Sequence, residues 1–156
     1  MTKRELMEYL DNRVRKCRYL LEKIPEGKWH WRPAENLMTL GDLANHVAML
    51  LDVESAIFEG ALTKESYAAK VHAMRKDNKP GLLNMARECH ARAMKFYGAM
   101  SEEDFETEVF TTPAGTTMSY KGGLLAELEH FTHHRSQLWT YLCQLGVPIE
   151  PCDLWN

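Results

Sequence analysis

Leu6, Leu10, Val14, Cys17, Leu20, Leu21 and Ile24 recur at three- and four-residue steps, which predicts a helix over residues 2–24 with one buried face, ended by Pro25 and Gly27. A loop carrying Trp29, Trp31 and Pro33 follows. Thr39-Leu-Gly-Asp42 is a variant of the capping box, with Asp42 where Glu or Gln is usual, and opens a second helix predicted from Leu40 to Phe58 and closed by Gly60. Residues 61–79 mix Lys64, Lys70, Arg75, Lys76 and Lys79 with Tyr67, Val71 and Met74, a pattern compatible with a short helix or with an ordered loop. Pro80 suits a first helical turn, and Leu83, Ala86, Cys89, His90, Ala93, Phe96 and Tyr97 then share one broad face of a third helix ending near Met100. Phe105, Thr107, Val109 and Thr111 alternate ahead of Pro113-Ala-Gly115, which predicts a short β-hairpin or extended loop across 105–119. The last helix is predicted from about Ser119 to Leu145, where Gly146 and Pro148 stop it. Four long helical patterns without strong strands predict an all-α fold, a four-helix bundle in one domain spanning 1–156, with the hairpin or extended loop before the last helix.

Composition narrows the function more than the fold. Nineteen basic against 22 acidic residues give a net charge of -3, a poor basis for neutralising a phosphate backbone, so nucleic acid is not the expected partner. The longest apolar stretches, such as Val47 to Leu51, fall far short of the roughly 20 residues a membrane span requires. The charged opening MTKRELMEYLDNRVRK lacks the apolar core of a signal peptide, so a cytoplasmic location is expected. Cys17, Cys89, Cys143 and Cys152 form no C-x-x-C pair and are expected to be buried free thiols rather than disulfides or zinc thiolates.

The candidate chemistry lies in the seven histidines. In the second helix His46 falls near the middle of the stripe Leu43, Val47, Leu50, Val53 and Ile57, so it should point into the core, either as a neutral hydrogen-bonded imidazole or as a metal ligand. In the last helix His130 and His134 are four residues apart, about 40° around the axis and one turn displaced, which lets two imidazoles share one ion. They lie along one edge of the core stripe of Leu124, Leu128, Phe131, Leu138, Leu142 and Leu145, while His133 points nearly opposite. A zincin protease needs Glu after the first ligand, where this chain has Phe131, and a di-iron centre needs two E-x-x-H motifs, of which only Glu127 to His130 matches. One ion is therefore expected rather than two. Glu127 shares the His134 edge and reads either as a solvated helix carboxylate or as a group that accepts an imidazole N–H or adds a ligand. Arg135 falls within the apolar stripe, where its charge needs a carboxylate, carbonyls or a route to solvent; Asp42, a partner subunit or a substrate anion are the candidates.

The stretch E-H-F-T-H-H-R-S-Q-L, Glu129 to Leu138, continuing through Tyr141 to Leu145-Gly-Val-Pro148, resembles the last-helix signature of the DinB/YfiT-like superfamily. W-R-P-A-E-N-L-M-T-L-G-D-L-A-N-H, Trp31 to His46, is similar to that family's entry into its second helix. The resemblance implies a four-helix bundle, often a homodimer, with one divalent ion on three histidines, which here are His46, His130 and His134. His133 matches a neighbouring histidine common in the motif without being implied as a ligand. Ser136, where glycine is frequent, and the basic segment 61–79 depart from the pattern.

Three imidazoles leave at least one coordination position for water or substrate. An ion held there would acidify a water for hydrolysis or bind a thiol as its thiolate. Relatives that use low-molecular-weight thiols favour the second, a metal-dependent transferase joining a small-molecule thiol to an electrophilic substrate. A hydrolase of a small amide or ester and a non-catalytic, stress-associated metal- or ligand-binding dimer are the alternatives. Imidazole donors accept zinc or nickel, and also iron.

Overall fold

The computed structural model describes residues 1–58, 60 and 62–150, without the side chains of Glu54, Phe58 and Lys64. Its elements are α1 (Lys3–Glu22), α2 (Leu40–Phe58), α3 (Lys64–Met74), α4 (Lys79–Ala99), α5 (Glu102–Thr107), β1 (Val109–Thr111), β2 (Thr117–Ser119) and α6 (Tyr120–Gln144). The four long helices are the expected bundle. Within segment 61–79, Lys64–Met74 forms a helix capped by Thr63, whose Oγ1 accepts the Ser66 N–H at 3.2 Å. The predicted alternation from Phe105 was too generous. Phe105 and Thr107 belong to α5, which Ser101 caps and whose Phe105 is fully buried, and only Val109–Thr111 pairs antiparallel with Thr117–Ser119. Three consecutive acidic residues in a first turn complement the helix dipole and outweigh the β propensity that follows.

Cross-helix contacts fix the direction of each helix. Lys3 Nζ donates to the Met100 carbonyl, His90 Nε2 lies 3.4 Å from Asp11 Oδ1, and Lys79 Nζ donates to the Glu22 carbonyl at 3.2 Å, so α1 and α4 are antiparallel. Met38 O accepts from Tyr141 Oη at 3.2 Å while His46 meets His130 and His134, so α2 and α6 are antiparallel too. Tyr9 and Arg13 share a groove with Leu128 and Thr132, and Cys17 and Lys16 lie near Arg135, so α1 and α6 run parallel. It follows that α2 and α4 also run parallel, and the chain order is up, down, down, up.

Parallel neighbours cannot be joined by a tight turn, and this requirement explains α3. The chain must return along the roughly 28 Å of α2 before α4 begins, and α3 supplies about 16 Å of that return. It lies antiparallel on α2 through Lys70–Asp52 at 2.8 Å, Arg75–Asp42, and the backbone of Lys76 on Asn45.

The Trp29–Trp31 loop sets the start of α2. Its carbonyls accept the otherwise orphaned N–H groups of Gly41 (2.9 Å, from Trp29) and Leu40 (2.7 Å, from Trp31), while Thr39 Oγ1 accepts the Asp42 N–H at 3.1 Å and donates to Asp42 Oδ2 at 2.6 Å. The reciprocal bond of the capping box thus goes to the Thr39 hydroxyl, because the Asp42 side chain is one methylene shorter than Glu. At Gly41 a Cβ would stand 2.8 Å from Trp29 Cε3 and 3.0 Å from the Trp29 carbonyl. Gly41→Ala is therefore expected to cost about 1–3 kcal/mol by overpacking. The measurement is a lowered urea midpoint at unchanged m; an unchanged midpoint would show that the loop gives way freely.

His90 joins α1 to α4. Burial pushes its imidazole below the ordinary 6.5, with Asp11 opposing and Arg18 adding to the fall. The folded state then binds fewer protons than the unfolded one below pH 6.5, so His90 lowers stability as pH falls from 6.5 through its depressed value. His90→Gln should lose less stability than the parent protein between pH 7.5 and pH 5.5 in urea titrations; parallel losses would refute this.

Among the described cysteines, Cys17 and Cys89 are buried free thiols and Cys143 is exposed, contrary to expectation, because it lies on the outer face of α6. Cys152 lies outside the described residues. No helix among the described residues is long and apolar enough to cross a membrane.

Candidate metal centre

The antiparallel contact of α2 with α6 brings His46 against the His130–His134 edge. His46 Nε2 lies 3.2 Å from His130 Nε2 and 3.0 Å from His134 Nε2. One ligand nitrogen from each of the three rings lies within 4.8 Å of the others, and the rings are half-buried. His46 sits at the rim of the core rather than inside it. His133, one residue from His134, is exposed, and its ring meets the His134 ring edge-on at 4.8 Å.

The protonation states follow from the neighbours. Burial first, then the adjacent His134 and His130, push His46 down to about 4, so it is neutral at pH 7. His134 is lowered by burial, opposed by Gln137 and aided by His130 and His133. Gln137 Oε1 stands 2.6 Å from His134 Nδ1 and can only accept, so His134 carries its proton on Nδ1 and turns a lone pair from Nε2 towards His46. The His46 ring has one proton to offer and two nitrogen neighbours at Nε2. Such a group is better matched by a cation than by hydrogen bonds. Two metal–nitrogen bonds of about 2.0–2.1 Å at a tetrahedral angle place their nitrogens about 3.3 Å apart, close to the spacings here. The three-histidine group could hold a metal ion, and imidazole donors alone do not select which.

Glu127 is not a solvated carboxylate. It is 1% exposed, and Tyr97 Oη donates to its Oε2 at 2.9 Å, tying α6 to α4 within the bundle. Arg135 is buried, as its place in the apolar stripe implied, but it does not pair with Asp42. That carboxylate is held by Arg75: burial alone would raise Asp42, and the Thr39 hydroxyl and the Arg75 guanidinium outweigh burial and keep it below the usual range.

Beside His46 a cavity of about 410 Å³ opens between α2 and α3. Met38, Met49, Tyr67 and Val71 give it apolar walls, and Asp42, Asn45, His72 and Arg75 stand among them. Asn45, the residue before His46, is 2% exposed and holds the far wall: its Nδ2 donates to Gly41 O at 2.9 Å and Lys76 O at 2.8 Å, and its Oδ1 accepts the Lys76 N–H at 2.7 Å. The sequence reading did not single out Asn45, His72 or Tyr67, because it could not place α3 on α2. The one available signal was a polar Asn45 on the inward side of an otherwise apolar helix.

A sequence model of the DinB family matches residues 1–156. The chain belongs to the DinB family. The DinB fold is shared with a solved structure from Exiguobacterium sibiricum assigned to the same family, at a TM-score of 0.76 and 26% identity, covering 95% of this chain and 94% of that one. YjoA of Bacillus subtilis, an uncharacterised protein, is 23% identical over 128 residues, covering 81% of this chain and 80% of its own. A mycothiol-dependent maleylpyruvate isomerase has the same fold at a TM-score of 0.59 and 14% identity, covering 95% of this chain and 62% of the isomerase.

Proposed function

We propose that this DinB protein is a divalent-metal-dependent enzyme that activates a low-molecular-weight thiol for transfer to an electrophilic small molecule. The observation that carries the proposal is the convergence of three imidazole donors beside a largely apolar cavity. The thiol dependence of the isomerase that shares the fold supports the choice of co-substrate. His46, His130 and His134 would hold the ion, zinc or nickel ahead of iron, and Gln137 keeps His134 in the tautomer that offers Nε2. When bound, a divalent ion supplies a Lewis acid that lowers the proton affinity of a coordinated thiol. The apolar walls from Met38, Met49 and Val71 would exclude water and take up the body of the acceptor. With a chlorinated aromatic acceptor, a sulfur–carbon bond forms, the carbon–chlorine bond breaks, chloride leaves with the electron pair, and the thiol proton passes to buffer. Assembly as a homodimer in the cytoplasm belongs to the same proposal.

The test is a cobalt-loaded protein mixed with small thiols. A sulfur-to-metal charge-transfer band, release of a proton on thiol binding and metal-dependent transfer to the chlorinated acceptor are expected. Metal-dependent cleavage of simple esters or amides without any thiol response would instead establish a hydrolase, with its rate rising as bound water loses a proton. Metal binding with silence in both assays would leave a binding dimer.

A further inference from the structure

The seam between the parallel helices α1 and α6 contains buried positive charge that the metal centre does not use. Tyr9, Arg13 and Lys16 follow one another at i, i+4 and i+7 on α1, and Leu128, Thr132 and Arg135 do the same on α6. Such stripes face each other when neighbouring helices run side by side. Arg135 is 8% exposed and Lys16 is 7% exposed, and Arg13 is half-buried between the helices. Arg135 Nη1 is enclosed and has no hydrogen-bond partner. Among the described residues no ion pair reaches Arg13, Lys16 or Arg135. Of the nearby carboxylates, Asp11 meets His90, Glu127 accepts from Tyr97, and Glu129 is exposed at the groove and makes no ion pair with Arg13.

Buried guanidinium groups are retained where a negative partner meets them, and the fork of Arg135 is built to give two parallel bonds to one oxyanion. We propose that Arg135, Lys16 and Arg13 form a binding site for a compact oxyanion of the phosphate class, on a different face of α6 from His130 and His134. Two further cations beside one enclosed guanidinium match a dianion better than a single carboxylate. Arg13 also lines a groove of about 420 Å³ with Met1, Tyr9, Leu128, Thr132, His133 and the carboxylate Glu129; its apolar side offers surface to the body of a phosphate monoester. The site is independent of the thiol reading.

The test titrates the full chain, with and without chelator and at constant ionic strength, with inorganic phosphate, phenyl phosphate and acetate, following heat of binding and thermal midpoint. Saturable binding of phosphate, weaker binding of acetate, and at least roughly tenfold weaker phosphate binding in Arg135→Gln and in Lys16→Gln are expected. Tighter binding of phenyl phosphate than of phosphate would assign the groove to a monoester; equal binding would assign the site to the free ion. Because Arg135→Gln removes an enclosed charge, its anion-free thermal midpoint should be no lower than that of the parent protein. The proposal fails if phosphate acts no differently from chloride, if both variants bind phosphate as well as the parent, or if chelation abolishes the response and so moves it to the three histidines. It also fails if phosphate has no effect while Arg135→Gln shifts the sedimentation coefficient, since a second copy's carboxylate would then be the partner.

Discussion

Alanine at His46, His130 or His134 is expected to lower divalent-metal affinity by a factor of roughly ten or more in each case, with thiol transfer lost in parallel. The three nitrogens meet at one point, so removing any ring leaves two donors and opens the group to water. Gln137→Leu should produce a smaller loss of the same kind, because without the 2.6 Å contact His134 is free to place its proton on Nε2 and withdraw its lone pair. His133→Ala should leave affinity unchanged, since that ring is exposed and only borders His134. Metal titration of the five variants checks the set, and equal losses at all four histidines would sink the assignment.

The second large effect belongs to Asn45→Ala. Three hydrogen bonds disappear at once, one buried and the two to Lys76 part-buried, and at about 1 kcal/mol each the expected loss of stability is about 3 kcal/mol. The backbone groups of Lys76 lose the side chain that satisfied them, so the end of α3 should loosen against α2. Metal affinity should survive, because His46 keeps its place on α2, whereas the KM for the acceptor should rise as the cavity loses its far wall. Urea denaturation, metal titration and steady-state kinetics on one preparation separate the three effects. A variant that loses metal but keeps its stability would show that Asn45 serves the centre and not the wall.

The helices and the three-histidine group were legible in the sequence because both depend on local periodicity. Leu43, Val47 and Leu50 on α2, and Leu124, Phe131 and Leu138 on α6, fix the phase of each helix, and the phase alone turns His46, His130 and His134 inward and His133 outward, though His46 lies at the rim and not in the middle of its stripe. What stayed hidden depends on contacts between distant segments. Helix α3 has almost no amphipathic pattern because it lies on top of the bundle rather than within it, so neither its conformation nor its cavity face could be read from Tyr67, Val71 and Arg75. Asp42, one of the candidates to meet Arg135, pairs instead with Arg75, which the crossover brings to it from a segment that local periodicity does not place. Glu127 differs from a surface carboxylate through its burial and through Tyr97, thirty residues away on α4.

The up, down, down, up order assigns two tasks to separate stretches of chain. The histidines stand on α2 and α6, whose substitutions are constrained by packing on both sides, while the opposite wall of the cavity rides on a return segment that has only to span a distance and find Asn45. Loop closure penalises added length weakly, by roughly 0.6 kcal/mol for each doubling. Lengthening, shortening or rewriting residues 61–75 should therefore be tolerated far better than any change of comparable size in the four long helices. A library randomised in that stretch alone, screened against different electrophiles, would let acceptor preference diversify while the metal-holding framework is inherited intact.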